Sequence, residues 1–140
     1  MDQKWWRRYI KEVRKDFQGE LLTSSSKIAD LGLHPFPEAT FRKTGWGNSG
    51  AAAIAVAHFY GAARIVLLGY DCQRTRDQAH WHGDHPRILG NAGSMQKWPG
   101  DFMRLKVKLS PNVVNATRET ALDCFPRMTL EQALEPYPAS

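Results

Sequence analysis

Between residues 3 and 17, Trp5, Tyr9, Val13 and Phe17 recur at helical spacing among Lys4, Arg7, Arg8, Lys11, Arg14 and Lys15. That pattern predicts an amphipathic helix, stopped by Gly19. "GELLTSS" follows as a short strand with a Ser/Thr-rich exit, and "SKIADLGL" as a brief helix ended by Gly32. Two prolines make "HPFPEATF" a loop or an edge segment.

The strongest signal is "GNSGAAAIAVAHFYGA", in which Asn48 or Ser49 caps a helix that is apolar nearly all round and Gly61 ends it. "RIVLLGYD" then reads as a continuously apolar strand buried on both faces. A loop of about residues 72 to 94 leads to a helix within 95–109, whose start Pro99 sets. "NVVNAT" is the next strand, and Thr129 with Gln132 forms a capping box before a short last helix, "LEQAL". Alternating strands and helices predict one α/β domain over residues 1–140, doubly wound around a mainly parallel sheet.

Composition agrees with a globular domain: 140 residues, 42% hydrophobic and 24% charged. There is no apolar run of about 18 residues and no signal-peptide core in "MDQKWWRRYIKEVRK", so the expectation is a cytoplasmic protein with no membrane partner. Cys72 and Cys124 fit neither a CxxC nor a disulfide-framework spacing and read as two unpaired thiols. Asn115-Ala116-Thr117 matches a glycosylation sequon that carries no meaning without secretion. The net charge of +5 invites nucleic acid as a partner. With neither a stacking platform nor a helix-turn-helix pattern to support it, the first basic cluster reads instead as a solvated helix face.

Open α/β sheets bind ligands at the carboxyl ends of their strands, where loops and helix N-termini converge. Two segments fall there. "TGWGNSG" opens the apolar helix with Gly47, Asn48, Ser49 and Gly50, small residues whose free N–H groups suit a phosphate or carboxylate, although the same residues also suit a tight turn and a cap. Gly69-Tyr70-Asp71 ends the central strand and leads into "HWHGDHP", so that Asp71, His80, His82, Asp84 and His85 share the ligand-binding edge. HxHxDH is the signature of metallo-β-lactamase-like hydrolases, in which His80 and His82 would hold one zinc and Asp84 and His85 a second. That fold needs a longer chain with further ligands downstream, and no histidine follows His85. Metal is therefore the alternative expectation, either zinc or another divalent ion, and a chain without a cofactor is the first. His58, within the apolar helix, reads as a core histidine.

"KWWRRY", "GNSGAAAIAVAHFYGAARIVLLGYD", "HWHGDHP", "LGN" and "VVNATRETALDCFPRMTLEQAL" together resemble a family of phage and prophage proteins. At greater distance, the helix opening in Asn-Ser-Gly and running into "GAARIVLLGYD" is similar to Rossmann-like sialyltransferases and motility-accessory proteins. This resemblance implies a small Rossmann-like three-layer domain in the cytoplasm of a bacterial host. It also implies a nucleotide or nucleotide-sugar pocket lined by Asn48, Ser49 and Gly50, with Asp71 at its base. One of His80, His82 or His85 would be the general base of a glycosyltransferase-like reaction, and Trp81 would stack on a sugar or base, or simply anchor the loop. Full-length members carry a first strand and Gly-rich turn before "KWWRRY". A domain lacking them would expose a sheet edge and pair with a second copy as a homo-oligomer. The competing expectation is a non-enzymatic phage accessory or assembly module in which the histidine loop is structural.

Overall fold

The computed structural model describes residues 3–23, 25–36, 47–74, 85–86, 89 and 92–136. Helix α1 (Gln3–Asp16) turns its apolar edge inward, burying Ile10 against Ile28 and Leu33 with Trp6 packed alongside. Arg7 fixes its register: Nη1 donates to Asp30 Oδ2 at 2.9 Å, and this bond holds the Asp30 carboxyl below its usual range. Arg14 donates to the Leu31 and Gly32 carbonyls. Phe17, read as part of the apolar face, is half exposed because α1 ends at Asp16 before the periodicity does.

Strand β1 (Leu22–Thr23) runs parallel to β2 (His34–Pro35), joined by a 3-10 turn over Ser26–Leu31. Gly32 ends that turn at a φ of 62°, its N–H reaching Ala29 O at 3.0 Å. Of the two readings of "HPFPEATF", its start is an edge strand. The ladder uses the N–H groups of His34 and Phe36, donating to Leu21 O and Thr23 O, so the missing donor of Pro35 is never needed.

Helix α2 (Ser49–Phe59) is capped by Asn48, whose Oδ1 accepts from Ala51 N at 2.9 Å, and it ends ahead of Gly61 at a φ of 79°. Ala51, Ala52, Ile54 and Ala55 are buried, while Ala53, Phe59 and Tyr60 lie on an exposed side. His58, read as a core residue, is half-buried in the last turn.

Strand β3 (Ile65–Leu67) pairs in parallel with β4 (Val113–Asn115) in the register Ile65 to Val113 and Leu67 to Asn115. Between them lie a 3-10 turn over Met95–Lys97 and helix α3 (Trp98–Leu109). This helix begins one residue before Pro99, because a proline in the first turn has no N–H that the helix would use. β3 is shorter than the apolar run it comes from. Leu68 is 55% exposed, since Gly69 turns the chain at a φ of 70° and Tyr70 N donates to Thr117 Oγ1 rather than to a ladder.

Alternation sorts the strand side chains. Ile65, Leu67 and Val113 join α2 and α3 through Ala51, Ile54, Ala55, Phe102 and Leu105; Val66 and Val114 join Ala116, Met128 and Ala133 on the other side. Ala133 belongs to α4 (Leu130–Leu134), whose capping box has Gln132 N donating to Thr129 Oγ1 and Thr129 N to Gln132 Oε1. The fold is thus α/β with parallel strands, but the one sheet expected is, among the described residues, two separate two-stranded pairs. Short strands account for the split: β1 and β2 have two residues each, and Pro35 offers no donor to a further neighbour. Among the described residues no helix is long and apolar enough to cross a membrane.

Candidate functional site

The carboxyl ends of β3 and β4 open into a cleft of about 1070 Å³. Its walls come from Leu68, Gly69 and Asp71 after β3, from residues 116–119 after β4, and from residues 127–132 leading into α4. The floor is rigid because Asn115, fully buried, is used at every polar atom: Nδ2 donates to Leu122 O at 3.2 Å, Oδ1 accepts from Thr117 N at 3.1 Å, and its N–H and C=O bond Pro126 and Met128. The sequon asparagine is therefore a sealed structural residue. Arg127 bridges back to Asn115 in parallel fashion and its guanidinium donates to the carbonyls of Thr117 and Arg118 at 2.7 and 2.9 Å, which holds the two rims together.

Across the same junction Thr120 Oγ1 donates to Tyr70 O at 2.6 Å and Ala121 N to Asp71 O at 2.8 Å, clamping "GYD" onto the post-β4 loop. The cleft has mixed charge. Asp71, Glu119 and Glu131 contribute carboxylates, and the Glu131 carboxyl is held below its usual range by its own backbone N–H and by Thr129. Among the described residues nothing neutralises the exposed Arg118 guanidinium.

The expected residues are distributed differently from the pocket the sequence suggested. Asp71 lines the cleft, but Gly47, Asn48, Ser49 and Gly50 do not. Asn48 is spent twice within the scaffold: Oδ1 caps α2 and Nδ2 donates to Asp101 Oδ2 at 3.1 Å. Asp101, buried in the first turn of α3, also pairs with Arg104. A Cβ on Gly47 would fall on that carboxylate, so the anion beside the start of α2 is the protein's own. Gly50 is equally confined, since an added Cβ would meet Tyr70 Cε1 at 2.9 Å. Tyr70 Oη donates to Gly50 O at 3.3 Å, its ring meets Phe102 edge-on, and burial raises its hydroxyl pKa. "GNSG" and "GYD" thus do meet, through Tyr70 and as packing.

His80, Trp81, His82 and Asp84 lie outside the described residues, and His85 is half-buried. Among the described residues no group of three or more His, Cys, Asp or Glu side chains is arranged to hold a metal ion. A second hollow of about 570 Å³ lies beside Cys72, Arg74, Met95 and Pro99. Burial, with lesser effects from Cys124 and Asp71, pushes the Cys72 thiol up to about 11, and burial also raises that of Cys124. Both thiols are free.

Arg118 and Arg127 were not singled out in the sequence, and Thr129 and Gln132 only as a helix cap, although polar residues just after a parallel strand mark the usual ligand edge. Comparison with protein-family models, with curated proteins and with solved structures returned no match to this chain.

Proposed function

We propose that this chain binds a nucleotide or nucleotide-sugar in the cleft beyond β3 and β4, as a small Rossmann-like three-layer domain. The observation that carries the reading is the cleft itself: about 1070 Å³ at the carboxyl ends of two parallel strands, with an unneutralised Arg118 at its rim. In this reading Arg118 meets the phosphate, Leu68 and Leu130 give the apolar wall for a base, and Thr117 and Gln132 bond a sugar. Asp71 stands at the strand end where an acceptor would enter. The glycosyltransferase-like extension assigns proton abstraction from that acceptor to His80, His82 or His85.

The test is a thermal-melt series with CMP, CDP, UDP and UDP-glucose, repeated on Arg118→Ala. A nucleotide at about one hundred times its Kd adds roughly 2.7 kcal/mol, which raises the midpoint by several degrees. The expected result is a rise with at least one nucleotide that Arg118→Ala diminishes. A flat series for all four sinks the proposal. A rise with Zn²⁺ alone, reversed by a chelator, assigns ligand binding to His80, His82, Asp84 and His85 instead.

One observation favours a second reading, a non-enzymatic accessory or assembly module. The Asn48–Asp101–Arg104 cluster consumes the residues that would otherwise line a donor pocket, and so treats "GNSG" as scaffold.

A further inference from the structure

Among the described residues, Thr117 is the one buried polar side chain that lines the cleft, with 5% of its surface exposed. It follows β4 closely, and the fold holds it at three polar atoms. Its N–H donates to Asn115 Oδ1 at 3.1 Å, its carbonyl accepts from Arg127 Nη2 at 2.7 Å, and its Oγ1 accepts from Tyr70 N at 3.0 Å. These bonds fix the backbone and, with the branching at Cβ, the side-chain rotamer. One hydrogen is left over. A hydroxyl that accepts through one lone pair still has its own O–H to donate, and among the described residues no acceptor takes the Thr117 hydrogen. A buried donor in that state costs free energy that a bound acceptor would recover.

The neighbours of Thr117 indicate which acceptor. In the cleft reading above, Arg118 meets the phosphate and Leu68 the base. Thr117 precedes Arg118 in the chain, and its hydroxyl is bonded to Tyr70 N, two residues beyond Leu68, so it stands between the two. In a nucleotide, the group between phosphate and base is the ribose. Asp71, Glu119 and Glu131 line the same cleft. Their carboxylates oppose a second phosphate there, and they accept hydrogens, which a sugar hydroxyl supplies while its oxygen accepts from Thr117.

We infer that the cleft selects ribonucleotides through Thr117, whose hydroxyl donates to a ribose hydroxyl oxygen. This rests on the cleft reading and narrows it. A nucleotide whose sugar lacks those hydroxyls leaves the Thr117 hydrogen unpaired, and a site built to bond a hydroxyl rejects the analogue without it.

The experiment is isothermal titration calorimetry of the full chain with CMP, CDP and UDP, each beside its 2′,3′-dideoxy form. The dideoxy form should bind about tenfold more weakly, the loss expected for one hydrogen bond. Thr117→Val keeps the shape without the hydroxyl and should bind both forms alike, whereas Thr117→Ser should keep the preference. Arg118→Ala should weaken both forms equally and leave their ratio unchanged. Circular dichroism melts confirm that each variant folds. Thr117→Val also takes the acceptor from Tyr70 N; if it does not fold, Thr117→Cys, a weak donor and acceptor of similar shape, replaces it and should shrink the preference. Equal affinity of the ribose and dideoxy forms in the unaltered chain overturns the inference and leaves the cleft reading standing. So does a preference that survives in full in the valine or cysteine variant. Binding of none of the three nucleotides overturns both.

Discussion

Cys72 shows how burial governs chemistry at a single residue. Its backbone is left-handed, with a φ of 51°, and its thiol packs against the core that contains Cys124, Phe102 and Leu67. Burial leads, followed by Cys124 and Asp71, in raising its pKa from 9.0 to about 11. Only the thiolate is nucleophilic, so at pH 8 iodoacetamide should alkylate Cys72 on the order of a hundredfold more slowly than an unfolded control, read by mass spectrometry after partial labelling. Equal rates would show the thiol to be unperturbed. The stability consequence has a definite sign. A thiol whose pKa is raised by folding supports the fold below pH 9.0, and that support is lost between pH 9.0 and about 11 as the unfolded chain ionises first. Burial raises the pKa of both thiols, and only the packing reveals that they share one core.

At the scale of elements, the junction of α2 with α3 rests on a side chain doing two tasks. Asn48 caps α2 and holds Asp101 of α3. Replacing it with alanine removes a cap worth about 1 kcal/mol and leaves a buried carboxylate with one fewer donor, so Asn48→Ala should cost about 1–3 kcal/mol in urea unfolding. Ser49→Ala, on an exposed neighbour, should stay within about 0.5 kcal/mol and serves as the control. Matching losses in the two would remove Asn48 from its capping role. The cap was readable because Asn followed by an apolar helix is a local pattern. Asp101 was not readable as its partner, since 53 residues separate them. For the same reason Gly47 and Gly50 read equally well as phosphate-cradling or as tight packing, and the decision came from the Asp101 carboxylate and the Tyr70 ring.

For the whole molecule, the relevant fact is that the apolar side chains form separate clusters of unequal size. Ile10, Ile28 and Leu33 hold α1 to the 3-10 turn and neighbouring strands, whereas a larger group including Ile54, Leu67, Phe102, Leu105 and Leu122 joins α2, α3, β3 and β4. Opening free energy scales with the apolar surface that opening exposes. Native-state hydrogen exchange should therefore show amides of residues 3–16 exchanging through openings of lower free energy than those of β3, β4 and α3. Uniform protection across both groups would make the molecule one cooperative unit.

The sequence by itself determined what local chemistry controls: α1 from its period, a cap at Asn48 or Ser49, the Gly32 and Gly61 stops, the Thr129–Gln132 capping box, and the apolar character of β3 and β4. These depend on residues within a few positions of one another. Tertiary structure alone decided that Leu68 leaves the strand, that Asn115 is the buried hub of the post-β4 loop, and that Arg118 and Arg127 border the cleft with Asp71. It also decided that Arg7 reaches Asp30 and that Arg14 reaches the Leu31 and Gly32 carbonyls. The physical reason is distance along the chain. A cap, a stop or a period is a short-range energy, whereas a cleft or a spent cation depends on side chains brought together from remote positions by burial.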